Sequence, residues 1–297
     1  MINIGLILSK DFHEKDKWNC PLSYYFVEEL KRQFSCIWIE DQNDYNNNIN
    51  KVNALLHISP GFSSPTIDYH SHEHLKSFMI LSDFHSEQWR QEYFIKNNIR
   101  YLLTFYPSPA KYHFSDIPQS KIIDYYWAVP NNLLANKVVN NNQDYLMIFG
   151  ATNHEAYETR QWCKQFDFVK SFDNSGVENK VYTKEMYFDF LYKHDAIIAS
   201  GSLQDKYKML LPKYFEILSV GALLFAQYND DLIFAGFKDG VNCIIFNKDN
   251  FEQKAKHYLA NKNEYIGIRK NGIELIRERH TTEQRVREFK NMFWEGG

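Results

Sequence analysis

The sequence predicts an α/β protein with two Rossmann-like domains facing a cleft, and three observations lead there. Short apolar runs alternate with helix-period segments on both sides of an Asn-rich break. The break, residues 130–144, is weakly patterned and reads as an interdomain linker. Residues 195–226 spell out strand, loop, helix, glycine and strand, the repeating unit of a parallel sheet.

The chain has 297 residues, room for one large or two medium domains. Tyr and Phe are abundant while Gly and Pro are sparse, so the composition is globular rather than disordered or fibrous. A formal net charge of −3 gives no electrostatic support for bulk nucleic-acid binding. Cys20, Cys36, Cys163 and Cys243 lack metal-type spacing. The first residues form an apolar strand without the basic and long apolar regions of a signal peptide. No run approaches the roughly 20 apolar residues needed to span a bilayer, so a cytoplasmic protein is expected.

In chain order, residues 2–8 read as the first strand and 21–34 as a helix with Leu22, Phe26, Leu30 and Phe34 on one face. Strands follow at 36–39, 54–58, 78–81 and 100–105, with a further one at 122–129. Residues 42–51 read as a loop or a poor helix, and 86–96 as a helix. Beyond the linker, strands are expected at 145–149, 168–172, 196–199, 222–226 and 240–246. Helices are expected at 183–193, 212–220, 249–259 and 265–279, with a last one at 281–293 opened by Thr281 or Thr282. The domains are then residues 1–135 and 136–280, with 281–297 as a C-terminal helix.

Pro212 suits the first turn of the helix in the 195–226 unit, and Gly221 suits the left-handed position just past its end. Leu211, Tyr214, Phe215 and Leu218 share one side; Lys213 and Glu216, three apart, are neighbours on another. Open parallel sheets bind ligands at their carboxyl edge. There a carboxylate can accept two ribose hydroxyls, and an ammonium at a helix N-terminus can hold a diphosphate. A solvated ion pair is the plain alternative.

The run Lys213-Tyr-Phe-Glu216-Ile-Leu-Ser-Val-Gly221-Ala-Leu-Leu224 resembles the nucleotide-sugar segment of GT-B glycosyltransferases, in particular the family 1-like C-terminal domains of spore-maturation-type proteins. The resemblance spans about residues 145–293. It implies that Glu216 grips the ribose of a nucleotide sugar and that Lys213 lies near the phosphates. It also implies a role for the turn after the 145–149 strand, where Gly150 precedes Arg160; the arginine would favour a diphosphate, or is a solvated helix residue. Retaining members often carry a second glutamate two turns before the first, and here that position is Lys208. The donor set is therefore Gly150, Arg160, Ser200, Gly201, Lys208, Lys213, Glu216 and Gly221, with Ser200-Gly201-Ser202 as a backbone cradle. In GT-B proteins the last helix crosses back onto the first, acceptor-side domain.

Sugar transfer to a hydroxyl also needs a base when the reaction inverts. Asp83 and His85, just past the 78–81 strand, fill that role, although an N-cap would equally explain Asp83. His13 with Asp11 or Asp16 is a second possibility. His70, His72 and His74 with Glu73 have a spacing that a metal site could use, but they sit in an expected loop, and the family chemistry needs no metal or other cofactor. Tyr125, Tyr126 and Trp127 can stack on a sugar or serve as packing. The expected function is glycosyl transfer from a nucleotide sugar to a hydroxyl on a glycan or a modified nucleic-acid base. The alternative is a non-catalytic nucleotide or sugar-phosphate binding module on the same fold.

Overall fold

A computed structural model describes residues 2–14, 21–61, 64–69, 75–81, 88–150, 154–172, 182 and 184–293. The first half runs β1 (Asn3–Ile7), α1 (Lys10–His13), α2 (Pro21–Gln33), β2 (Ser35–Ile39), α3 (Gln42–Asn48), β3 (Ala54–Ile58), β4 (Lys76–Leu81), α4 (Gln88–Lys96), β5 (Tyr101–Thr104), α5 (Pro107–His113) and β6 (Ile122–Asp124). Its strands form one parallel six-stranded sheet in the order β2-β1-β3-β4-β5-β6. The second half runs β7 (Leu146–Phe149), α6 (Glu158–Cys163), β8 (Val169–Phe172), α7 (Lys184–Tyr192), β9 (Ala196–Ala199), α8 (Pro212–Ser219), β10 (Leu223–Gln227), α9 (Asp230–Phe234), β11 (Ile244–Phe246), α10 (Phe251–Ala260), α11 (Ile266–Arg279) and α12 (Thr282–Asn291). These strands form a separate five-stranded sheet, β11-β10-β9-β7-β8, again parallel.

Each sheet is doubly wound, and the chain reverses its direction of travel beside β1 in the first and beside β7 in the second. Strands buried on both faces must be apolar throughout, as Ala54–Ile58 and Leu223–Gln227 are, apart from His57 and Gln227. No helix among the described residues is long and apolar enough to cross a membrane.

Several elements settle an open reading or differ from expectation. Residues 42–48 are a capped helix: the Asp41 side chain accepts the Asp44 N–H at 2.8 Å, which outweighs the weak helix propensity of the asparagines. Two short helices, α5 and α9, carry no sequence period long enough to read. α5 has Pro107 in its first turn, and α9 is capped by Asn229, whose side chain accepts the Asp231 N–H at 2.9 Å. β6 stops at Asp124, and β11 begins only at Ile244, after a turn with Gly240 at φ +69°.

The Asn-rich stretch is fastened down. The Asp195 carboxylate, with no solvent exposure, accepts the N–H groups of Asn141 at 2.8 Å and Gln143 at 3.0 Å, with Arg269 at 3.6 Å. Short amide side chains and bare N–H groups suit a buried carboxylate better than an apolar segment would.

The chain then returns to the first sheet. Thr281 forms a reciprocal capping box with Gln284 at the head of α12. Phe289 packs edge-on against Phe34 at 6.0 Å and Phe78 at 5.0 Å. The Tyr125 hydroxyl donates to the Arg285 carbonyl at 2.7 Å. Trp127 stacks on Phe105 at 3.8 Å, so Tyr125 and Trp127 belong to the core rather than to a stacking platform.

Candidate functional site

The site starts from a glycine. β7 ends at Phe149, and Gly150 turns away at φ +102°, a conformation that side-chain-bearing residues rarely adopt. A Cβ at this position would overlap Lys213 Nζ and lie 2.7 Å from Arg160 Nη1. The backbone thus favours a bare residue here, and a side chain would displace the two cations. Gly150 follows β7 and Ser200 follows β9, the adjacent strands between which the second sheet switches direction and where such sheets bind ligands.

Lys213 comes from the first turn of α8. Its Nζ donates to the Phe149 carbonyl at 3.0 Å and rests 4.1 Å from the centre of the Phe149 ring. Arg160 comes from α6 and is only 4% exposed. Its Nη2 donates to the Ser200 carbonyl at 3.2 Å, and its guanidinium lies 4.5 Å from the Tyr157 ring centre. Two positive groups brought together over one backbone turn repel each other, and an anion seated between them relieves that repulsion. A diphosphate has the charge and oxygen spacing to do so.

Glu216 lies three residues beyond Lys213 on α8 and is 2% exposed. Burial pushes its carboxyl up to about 7, against opposing effects of the Tyr187 hydrogen bond and the Lys213 charge. The Tyr187 hydroxyl, from α7, donates to Glu216 Oε2 at 2.7 Å. The Tyr187 ring meets Phe149 edge-on at 6.2 Å, so Phe149 contacts both the residue bonded to Glu216 and the lysine over Gly150. The solvated-pair alternative for Lys213 and Glu216 fails, because neither carboxylate nor ammonium is spent on the other at ion-pair distance and Glu216 is buried.

The structure therefore brings Gly150, Arg160, Ser200 and Lys213 to one turn, with Glu216 beside them. The Ser200-Gly201-Ser202 segment is braced from three sides. The Gly201 N–H donates to Gln227 Oε1 at 2.7 Å, the Gly201 carbonyl accepts from the Thr159 N–H at 3.1 Å, and Ser202 Oγ donates to Glu158 at 3.3 Å. The middle N–H of the expected cradle is thus occupied internally. Lys208 pairs with Asp230 at 3.0 Å. Gly221 closes the opposite end of α8 from Lys213 at φ +72°. Its N–H bonds the Leu218 carbonyl and that of Ala222 the Ile217 carbonyl, a Schellman motif. Its own carbonyl accepts from Arg269 at 2.7 Å, so its part is structural.

Asp83 and His85 lie outside the described residues, as do Asp16, Cys20 and the histidines at 70, 72 and 74. His13 is buried against Tyr24, and its Nε2 bonds Glu28 at 2.7 Å rather than Asp11. Among the described residues no three His, Cys, Asp or Glu side chains are grouped to hold a metal. Tyr187 and Gln227 were not legible as site residues. Their partners lie 29 and 26 positions away, beyond any local pattern.

Two doubly wound parallel sheets, with a last helix packed on the first, make this a GT-B glycosyltransferase fold. The family described as "Glycosyl transferase-like" matches residues 133–291, more than half of the chain, and the chain belongs to it. Solved structures similar to it include HepE of Anabaena in complex with UDP-glucose, at TM-score 0.61 and 9% identity, covering 98% of this chain and 100% of that one. Sucrose-phosphate synthase of Thermosynechococcus elongatus matches at TM-score 0.58 and 10% identity, covering 99% of each chain. An alpha-glucosyltransferase in complex with UDP-glucose and DNA containing an abasic site matches at TM-score 0.62 and 10% identity, again over 99% of each. At these identities the likeness is one of fold. No curated protein matches the chain.

Proposed function

We propose that this protein transfers a sugar from a nucleotide-sugar donor to a hydroxyl acceptor without a bound metal. The observation that carries the reading is the meeting of Lys213 and Arg160 over Gly150, with the buried Glu216 on the same helix as the lysine. Glu216 accepts the ribose hydroxyls; Lys213 and Arg160 neutralise the diphosphate as it leaves. HepE in complex with UDP-glucose, a structure of the same fold, supports a donor of this class.

As the bond from the anomeric carbon to the diphosphate oxygen breaks, the acceptor oxygen forms its bond to that carbon and loses its proton to a base. If the reaction inverts, that base is Asp83 or His85, a few residues beyond the carboxyl end of β4, which closes at Leu81. Lysine rather than glutamate at position 208 favours inversion.

Glu216→Ala should weaken binding of UDP, GDP or CMP, whichever binds tightest, by about 1.5–3 kcal/mol, the range for hydrogen bonds to a charged group. Unchanged affinity by calorimetry with an intact fold would overturn the donor site. Asp83→Asn or His85→Ala should lower kcat by about 10² or more with donor affinity nearly unchanged, read first as slow donor hydrolysis. Wild-type hydrolysis in both variants removes the assigned base, and loss of activity in EDTA removes the metal-free chemistry.

A further inference from the structure

We infer that Tyr187 is a positioning residue for the donor: its hydroxyl holds the Glu216 carboxylate in the orientation that receives the ribose. The inference rests on the donor-site reading above and extends it to a residue on a different helix.

The contact is specific. Tyr187 is 9% exposed, and its hydroxyl reaches Glu216 Oε2 at 2.7 Å in a buried setting. A carboxylate in such a place rotates unless a donor holds one oxygen, and holding Oε2 leaves Oε1 to meet a ligand. The ring is fixed as firmly as the hydroxyl. It packs edge-on against Phe149 at 6.2 Å and against its neighbour Phe188 at 5.7 Å.

α7 is also contacted from the first half of the chain, by helix α2. Lys184 Nζ lies 4.1 Å from the centre of the Tyr24 ring, and Phe188 meets Tyr25 edge-on at 6.5 Å. Tyr24 and Tyr25 belong to α2, so the first half of the chain helps to set where the Tyr187 hydroxyl stands. Tyr187 and Lys213 are the groups that bear on the Glu216 charge, with Arg160 of α6 beside Lys213 at the Gly150 turn.

A donor hydrogen bond favours the ionised carboxylate. Without it, Glu216 takes up a proton at a higher pH and loses one acceptor for the ribose. The test is calorimetric titration of wild type, Tyr187→Phe, Glu216→Gln and the double variant between pH 5.5 and 8.5, with the tightest-binding of UDP, GDP and CMP. Tyr187→Phe should weaken binding about tenfold near pH 6.5. The acid limb of its affinity profile should move to higher pH, and Tyr187→Phe should add nothing further to Glu216→Gln.

A tyrosine that only supports packing would lower affinity equally in both backgrounds without moving the profile; that result, or a wild-type profile for Tyr187→Phe, overturns the inference while leaving the donor site standing. If Glu216→Gln binds like wild type, or none of the three nucleotides binds, the donor-site reading itself falls.

Discussion

Gly150→Ala separates the site from the scaffold. The glycine sits at φ +102°, where a side-chain-bearing residue stores about 1–3 kcal/mol of strain. The added methyl also lands on Lys213 Nζ and within 2.7 Å of Arg160 Nη1. Both are ends of long side chains, so they yield by about 1 Å at little cost to folding, but in the proposed donor site they carry the charges that would face the diphosphate. Moving a unit charge from about 3 to about 4 Å from its partner costs about 1.4 kcal/mol at an effective dielectric of about 20. With two cations displaced to different extents, nucleotide affinity should fall about 10- to 100-fold beyond any loss of stability. Gly221→Ala is the control. It also has positive φ, +72°, and its Cβ would meet Ile273 Cδ1 at 3.0 Å; the cation beside it is Arg269, bonded to its carbonyl, and neither Lys213 nor Arg160 is among the atoms the Cβ meets. It should destabilise by a similar amount and change affinity by less than about twofold. Chemical denaturation and calorimetry with UDP, GDP and CMP read both variants. If the two glycine variants bind nucleotide alike, the convergence of Lys213 and Arg160 has no bearing on binding.

Asp195→Asn should destabilise by about 3–5 kcal/mol, because it leaves Arg269 buried without its counter-charge; a loss below about 1 kcal/mol in urea denaturation would show that the linker is not anchored there. Stability should also fall with acid. Burial pushes His57 down to about 3, and burial together with the Arg285 charge does the same to His280, against 6.5 for an ordinary histidine. Between those values the unfolded chain binds protons that the folded one refuses, so each histidine removes about 1.4 kcal/mol per pH unit as pH falls. Glu216 works in the opposite sense, since its folded value of about 7 exceeds 4.5, and it adds stability as pH drops through that window. Glu216→Gln should therefore steepen the acid loss between pH 6.5 and 4.5, and identical slopes in urea denaturation at pH 6.5, 5.5 and 4.5 would refute the opposition.

Much of the fold was legible because strands buried on both faces must be apolar and the helices between them must show one apolar side. The ends of β4, β7, β9 and β10 therefore fall within a few residues of expectation. Helix α8 was the most readable element: Pro212 and Gly221 mark its ends, and its Lys213 and Glu216 are local to one turn. Where the pattern is short or the cap is polar, reading left α3 open between loop and helix and missed α5 and α9. α3, α5 and α9 are held by an Asp41 cap, a proline and an Asn229 cap rather than by an apolar period.

By itself the sequence determined the alternation of strands and helices, the break between two sheets, and the residue types of helix α8, because these depend on neighbours within a few positions. Only the tertiary structure decided what those residues face. Arg160 and Lys213 lie on helices 53 positions apart and meet because the second sheet reverses its order beside β7. Tyr187 finds Glu216 because α7 and α8 both pack alongside the same sheet, and the Asn-rich stretch becomes an anchor because a buried Asp195 lies under it. Such contacts join groups distant in sequence, and only the closed packing of the sheets brings them within hydrogen-bonding range.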